Sequence, residues 1–165
     1  MGRLFLVASL IFALDQATKY AVVHAMDLMH LGAIDVFPPY LNFRMAWNYG
    51  INFGLFAGPS DAMRWALIAL ALAVSGWVIW WAYREGGRWL PVFAGLLVGG
   101  ALGNVVDRLL YGAVADFLNM SCCGITNPYA FNVADIAIFA GAAGLVLTPG
   151  GEKKTSRRAA ADGLH

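Results

Sequence analysis

Asp116 and Asp135 are the residues of this chain whose type and setting best suit chemistry. Asp116 lies in Gly112-Ala113-Val114-Ala115-Asp116-Phe117 and Asp135 in Phe131-Asn132-Val133-Ala134-Asp135, each beside a long apolar segment. Two carboxylates held close together do not both ionise readily, so one keeps a proton while the other loses it. The titration then belongs to the pair. Such a dyad takes a proton from water as general base and protonates a carbonyl oxygen or leaving amine as general acid. That is a route to peptide-bond hydrolysis needing neither metal nor cofactor. Taken singly, each aspartate has a plainer explanation. Asn132 is a good N-cap, which puts Asp135 at the third helical position, answering the helix dipole. Asp116 alone reads as a solvated loop carboxylate.

A second set of polar residues sits where apolar ones are expected. Asp15, Gln16, Thr18 and Lys19 interrupt the first apolar segment, and Asp15 and Lys19, four apart, share a helical face and can pair. This is either a structural ion pair inside a helix bundle or a means of orienting other site residues. The run from Gly99 to Arg108 carries Gly99 and Gly103 as a small-residue stripe for close helix packing. Packing does not account for Asn104, or for Asp107 next to Arg108. Gly100, Asn104 and Arg108 recur every four residues, a polar stripe able to hydrogen-bond a peptide backbone or carboxylate.

The elements that position these groups follow from composition. Of 165 residues, 60% are hydrophobic and 13% charged, with a mean hydropathy of +0.64. A soluble domain averages about 45–50% apolar and about 25% charged residues. Four segments, about 4–24, 63–83, 89–106 and 133–147, approach the roughly 17–25 residues that cross about 30 Å of hydrocarbon. In lipid they must be helices, because the backbone has to satisfy its own hydrogen bonds. The expectation is an all-α integral membrane protein with four transmembrane helices in one domain, residues 1–148. The start of the chain superficially resembles a signal peptide, but its apolar character runs past Asp15 to Val23, so it reads as a retained span.

Orientation follows from the basic residues. Arg3, Arg84, Arg88, Lys153, Lys154, Arg157 and Arg158 fall on one side, against Arg44, Arg64 and Arg108 on the other. The positive-inside rule puts both termini in the cytoplasm, with 149–165 as a disordered tail. Trp77, Trp80, Trp81, Tyr83 and Trp89 gather round the inner loop like an aromatic belt. On the outer side, the region 37–58 contains Leu41, Phe43, Met45 and Trp47 at period two, a strand with one apolar face, bounded by Pro38-Pro39 and Asn48-Tyr49-Gly50. The small sheet it implies should rest on the membrane surface or on the bundle.

Other chemistries find less support. His24 and His30 lack a carboxylate motif, no zinc-ligand spacing occurs, and Ser9, Ser60 and Ser121 have no evident link to Lys19. Adjacent Cys122 and Cys123 are expected as partly buried thiols, since a vicinal disulfide is strained. A net charge of +1 gives no field for nucleic acid. The main competing class is a small ion or proton transporter lined by Asp15, Lys19, Asp107 and Asp135. Four spans without discontinuous-helix repeats make it less attractive.

Five blocks, in order, carry a resemblance: Asp15-Gln16-Ala17-Thr18-Lys19; Asn48 to Phe53; Gly99 to Arg108; Val114-Ala115-Asp116-Phe117; and Phe131 to Asp135. Nearly the whole chain, up to about Val146, resembles the bacterial lipoprotein signal peptidases (signal peptidase II). One departure is Asn52, where many members have Ala. The resemblance implies an aspartic endopeptidase of the bacterial inner membrane, active at its outer, periplasmic face; a monomer is the expectation for its oligomeric state. Its substrate would be a diacylglyceryl-modified prolipoprotein, cut just before the lipidated cysteine. By motif match Asp116 and Asp135 would be catalytic. Asn104, Arg108 and Asn132 would support them and hold substrate, with Asp15, Lys19 and Asn48 nearby. The outer strands would cradle the substrate at the lipid surface beside a mobile loop.

Overall fold

The computed structural model describes residues 1–50, 61–122, 124 and 127–147. Residues 51–60, with Asn52 and the end of the expected strand region, lie outside these, as do Cys123 and the tail after 147.

Helix α1 (Gly2–Lys19) continues into a π-helical stretch (Tyr20–Ala25), followed by a short helix α2 (Leu28–Leu31) and strands β1 (Ala33–Phe37) and β2 (Leu41–Asn48). Helices α3 (Asp61–Glu85) and α4 (Leu90–Tyr111), strand β3 (Val114–Asn119) and helix α5 (Val133–Leu147) complete the order. Phe5, Leu6, Leu10 and Leu14 of α1 and Trp65, Leu70, Leu72 and Trp77 of α3 face outward, exposed. Helices apolar on their outer faces need lipid around them. Three helical segments, Gly2–Ala25, Asp61–Glu85 and Leu90–Tyr111, have the length and hydropathy to cross a membrane. The fourth expected span forms as a helix with the expected bounds, but at 15 residues it falls short of that length.

Helix α4 is the hub, packed against α1, α3 and α5. Its glycines explain the closeness. A Cβ on Gly99 would stand 2.5 Å from the carbonyl oxygen of Ala8, and one on Gly100 would stand 2.5 Å from that of Ala134. Gly99 thus seats α1 and Gly100 seats α5, on two neighbouring faces of one helix. Leu4, Ala8, Val78, Ala82, Leu90, Ala94 and Leu145 fill the core at the end of the bundle where α4 begins.

The sheet has the order β1-β2-β3, antiparallel throughout. Phe43, Met45 and Trp47 of β2 pack on Val22, Val23, Leu28, Ala115 and Phe117, so the expected apolar face rests on the bundle. Strand β3 differs from expectation. The segment around Asp116 is not a loop but a strand paired with β2, Ala46 opposite Asp116. It is almost wholly buried on both faces, which removes the alternation that marks a half-exposed strand. Its partner lies far away in sequence, where no local pattern reports it.

Candidate active site

Asp116 projects from β3 and Asp135 from the first turn of α5, and Asn132 joins them. The amide Nδ2 of Asn132 donates to Oδ1 of Asp116 at 2.7 Å. Its Oδ1 accepts from the backbone N–H of Asp135 at 2.9 Å, and its own backbone N–H reaches Asp135 Oδ2 at 3.3 Å. The last two bonds form a capping box, satisfying two donors at the start of α5. The expected N-cap is therefore present, and it also contacts the other aspartate. Phe131 is held to β3 by backbone bonds with Leu118 of 2.8 and 3.0 Å, which delivers Asn132 to Asp116.

Asn48, at the end of β2, donates to Asp116 Oδ2 at 3.1 Å. Asn104 of α4 donates to Asp135 Oδ1 at 2.9 Å and accepts from Asn132 at 3.2 Å. Asp116 thus receives two side-chain amides, and Asp135 one side-chain amide and the backbone N–H of Asn132. Asp116 is nearly buried, with 3% of its surface exposed. Burial, and next the Asp135 charge, push its pKa up to about 7 against the lowering effect of Asn48, Asn132 and Lys19. A carboxyl that changes charge near neutrality is suited to proton transfer.

A buried ionic frame stands behind the pair. Lys19 Nζ lies 2.8 Å from Asp15 Oδ2 and 2.7 Å from Asp107 Oδ2, and donates to Asn104 Oδ1 at 3.3 Å. Asp15 Oδ1 accepts the backbone N–H of Ala134 at 2.9 Å, immediately before Asp135. Asp107 Oδ2 accepts that of Ala115 at 3.1 Å, immediately before Asp116. Each frame carboxylate therefore grips the backbone next to Asp116 or Asp135, and Lys19 ties the two grips together. The expected Asp15–Lys19 pair exists, and Asp15 also holds the backbone beside Asp135. Gln16, not singled out for the site by its sequence position, donates to Asp15, Asp107 and the carbonyl of Gly103. Its place beside two charged residues in an apolar helix was the available signal.

Arg108 projects from the same end of α4. Its Nη1 donates to the Asn104 carbonyl at 3.4 Å, and its Nε is buried without a hydrogen-bond partner among the described residues. A cavity of about 260 Å³ runs from Arg108 and Asn104 between Leu70, Val74, Leu97 and Ile138, joining the site to an apolar groove among α3, α4 and α5. Gly100, expected beside Asn104 and Arg108 in one polar stripe, sits at the α4–α5 contact. Cys122 is exposed, not partly buried.

The family model described as signal peptidase (SPase) II matches residues 7–149. A lipoprotein signal peptidase of Methylobacterium radiotolerans is 43% identical over 164 residues, covering 98% of this chain and 94% of the relative. One from Methylorubrum extorquens is 43% identical over 146 residues, covering 88% and 83%. One from Alteromonas mediterranea is 39% identical over 162 residues, covering 96% and 87%. Two solved structures described as a bacterial membrane enzyme superpose with TM-scores of 0.74 and 0.75 at 27% and 26% identity. Each covers 88% of this chain, and the matches span 86% and 91% of those chains. A family match over most of the length, in a chain whose described residues from the five sequence blocks meet at one end of a helix bundle, has one reading: the chain belongs to the signal peptidase II family.

Proposed function

We propose that Asp116 and Asp135 hydrolyse the peptide bond as an aspartic dyad, acting on a diacylglyceryl-modified prolipoprotein just before its lipidated cysteine. Family membership makes the chain a membrane protease that cleaves signal peptides from prolipoproteins, and nothing favours a transporter. The observation that carries the aspartic chemistry is the buried Asn132 amide, bonded to Asp116 at 2.7 Å and capping the turn that holds Asp135.

With one proton on the dyad, the ionised carboxylate removes a proton from water as its oxygen attacks the scissile carbonyl carbon. The protonated partner gives its proton to the carbonyl oxygen, forming a neutral gem-diol. The proton taken from water then passes to the amide nitrogen, the diol returns one to the dyad, and the C–N bond breaks. The unpartnered Nε of Arg108 supplies a donor for a substrate carbonyl. The apolar groove below it takes hydrocarbon, so substrate reaches the dyad from within the bilayer.

In this reading α5 is the fourth crossing, and both termini are cytoplasmic because Arg3, Arg84 and Arg88 lie at the end away from the dyad. The dyad then faces the periplasmic side of the inner membrane, and one copy carries the whole site. The test is cleavage by the purified full chain of a synthetic prolipoprotein with and without its diacylglyceryl group, alongside Asp116→Asn and Asp135→Asn. Cleavage of only the lipidated substrate, and two folded but inactive variants, is the expected result. Near-full turnover by either variant would sink the dyad.

A further inference from the structure

The end of the bundle away from the dyad has its own cluster of charge and aromatic rings. Leu90, the first residue of α4, is fourteen residues from Asn104, about 21 Å along the helix. The Arg84 guanidinium lies over the Trp80 ring at 5.0 Å from its centroid, and that of Arg88 over Trp89 at 5.5 Å. Trp77 and Trp81 stack at 5.8 Å on the same helix as Trp80. Leu4 shares a core cluster with Ala82 and Leu90, so Arg3 of α1 arrives at this end too. All three arginines are exposed, with Glu85 the one acidic residue in 1–5 and 83–90. Among the described residues neither Arg84 nor Arg88 has an ion pair or side-chain hydrogen bond.

We propose that this cluster is a binding site for the phosphate headgroup of anionic phospholipids. A guanidinium held over an indole ring by its charge leaves its N–H groups free, and a planar fork matches two phosphate oxygens. Trp80, Tyr83 and Trp89 are more than half exposed, at the depth where amphipathic rings meet headgroups. Three arginines against Glu85 leave the cluster net positive among the described residues, and the rings are apolar, so the complementary partner has an anionic head and hydrocarbon tails. The cation–π contacts restrict each fork before the lipid arrives, which lowers the cost of ordering it. This site requires only that the chain is embedded in a membrane, and is independent of the dyad chemistry.

The experiment titrates the full chain in detergent with phosphatidylglycerol or phosphatidylcholine of identical acyl chains, reading bound lipid by native mass spectrometry. Wild type should retain the anionic lipid preferentially. Arg84→Gln with Arg88→Gln should reduce that preference about fivefold per arginine. Arg84→Lys with Arg88→Lys, which keeps the charge but not the planar fork, should fall between. Soluble glycerol phosphate should leave bound lipid in place. Equal retention of both lipids by wild type, an unchanged preference in the glutamine variant, or displacement by glycerol phosphate would overturn the site. A lysine variant equal to wild type would overturn the role of the planar fork. Prolipoprotein cleavage in detergent should be unchanged in the glutamine variant, so a failed lipid site and a failed peptidase reading give separate signals.

Discussion

Asn132 Nδ2 lies 2.7 Å from Asp116 Oδ1, and the same residue caps the helix that carries Asp135. A fully buried side chain therefore sets the relative placement of two carboxylates from different elements. Asn132→Ala should lower the thermal stability of α5 by about 0.5–2 kcal/mol, the usual cost of a lost cap. It should lower kcat by on the order of 100-fold, since small misplacements of reacting groups have effects of that size. Asn132→Ser keeps a capping oxygen but not the amide reaching Asp116. It should restore stability without restoring kcat, and equal recovery of both would show that the cap alone matters.

Lys19 compensates two buried carboxylates at once, at 2.8 and 2.7 Å. Removing one partner from a buried ion pair leaves an uncompensated charge, with a cost of about 3–5 kcal/mol. Lys19→Met should destabilise the protein by that order in a detergent melt. Asp107→Asn keeps an acceptor for the Ala115 N–H and should be milder. Lys19→Met matching wild-type stability would mean the frame is not held by charge.

Asp116 gives a pH dependence with a definite sign. Its carboxyl is raised to about 7 in the fold, above about 3.9 for a free aspartate. The folded protein then binds more protons than the unfolded chain between about pH 4 and pH 7. The associated stability is fully present below about pH 4 and declines as pH rises to about 7. Asp116→Asn should flatten this decline in chemical-denaturation curves taken across that range. In catalysis, loss of the dyad proton should give kcat/KM a falling limb near pH 7. Asn48 stabilises the carboxylate by donating at 3.1 Å, so Asn48→Ala should move that limb to higher pH. A shift to lower pH would reverse the assignment.

The helices could be read from the sequence because lipid imposes length and hydropathy locally, and Val133–Leu147 begins and ends where its apolar run does. Polar residues within apolar helices stand out for the same reason, which exposed Asp15, Lys19, Asn104 and Asp107. Strand β3 did not stand out: Asp116 is a strand residue only because β2 lies opposite it, 70 positions away at Ala46. The motif match singles out Asp116 and Asp135 for chemistry, but it does not say what the other buried carboxylates hold. Asp15 and Asp107 differ from the dyad in what they grip, the amides of Ala134 and Ala115, and that is a property of packing. Helix α4 also runs on to Tyr111, past the expected end near 106, because Asp107 is satisfied inside the bundle by Lys19, Gln16 and the Ala115 N–H.

Gly99 and Gly100 separate packing from catalysis on one helix. A methyl group on either would come within 2.5 Å of a backbone carbonyl oxygen, of Ala8 for Gly99 and of Ala134 for Gly100. Backbone cannot rotate aside as a side chain can, so each helix pair must separate, at a cost of about 1–3 kcal/mol. The consequences differ by position. Gly99→Ala moves α1 near Ala8, seven residues from Asp15, whereas Gly100→Ala pushes on Ala134, whose N–H is held by Asp15 and whose neighbour is Asp135. The two variants should therefore lose similar stability while kcat falls much further in Gly100→Ala. Melting curves and turnover measured on the same preparations decide it. Parallel losses of activity in both would mean that the α1–α4 seam controls the dyad as tightly as the α4–α5 contact does.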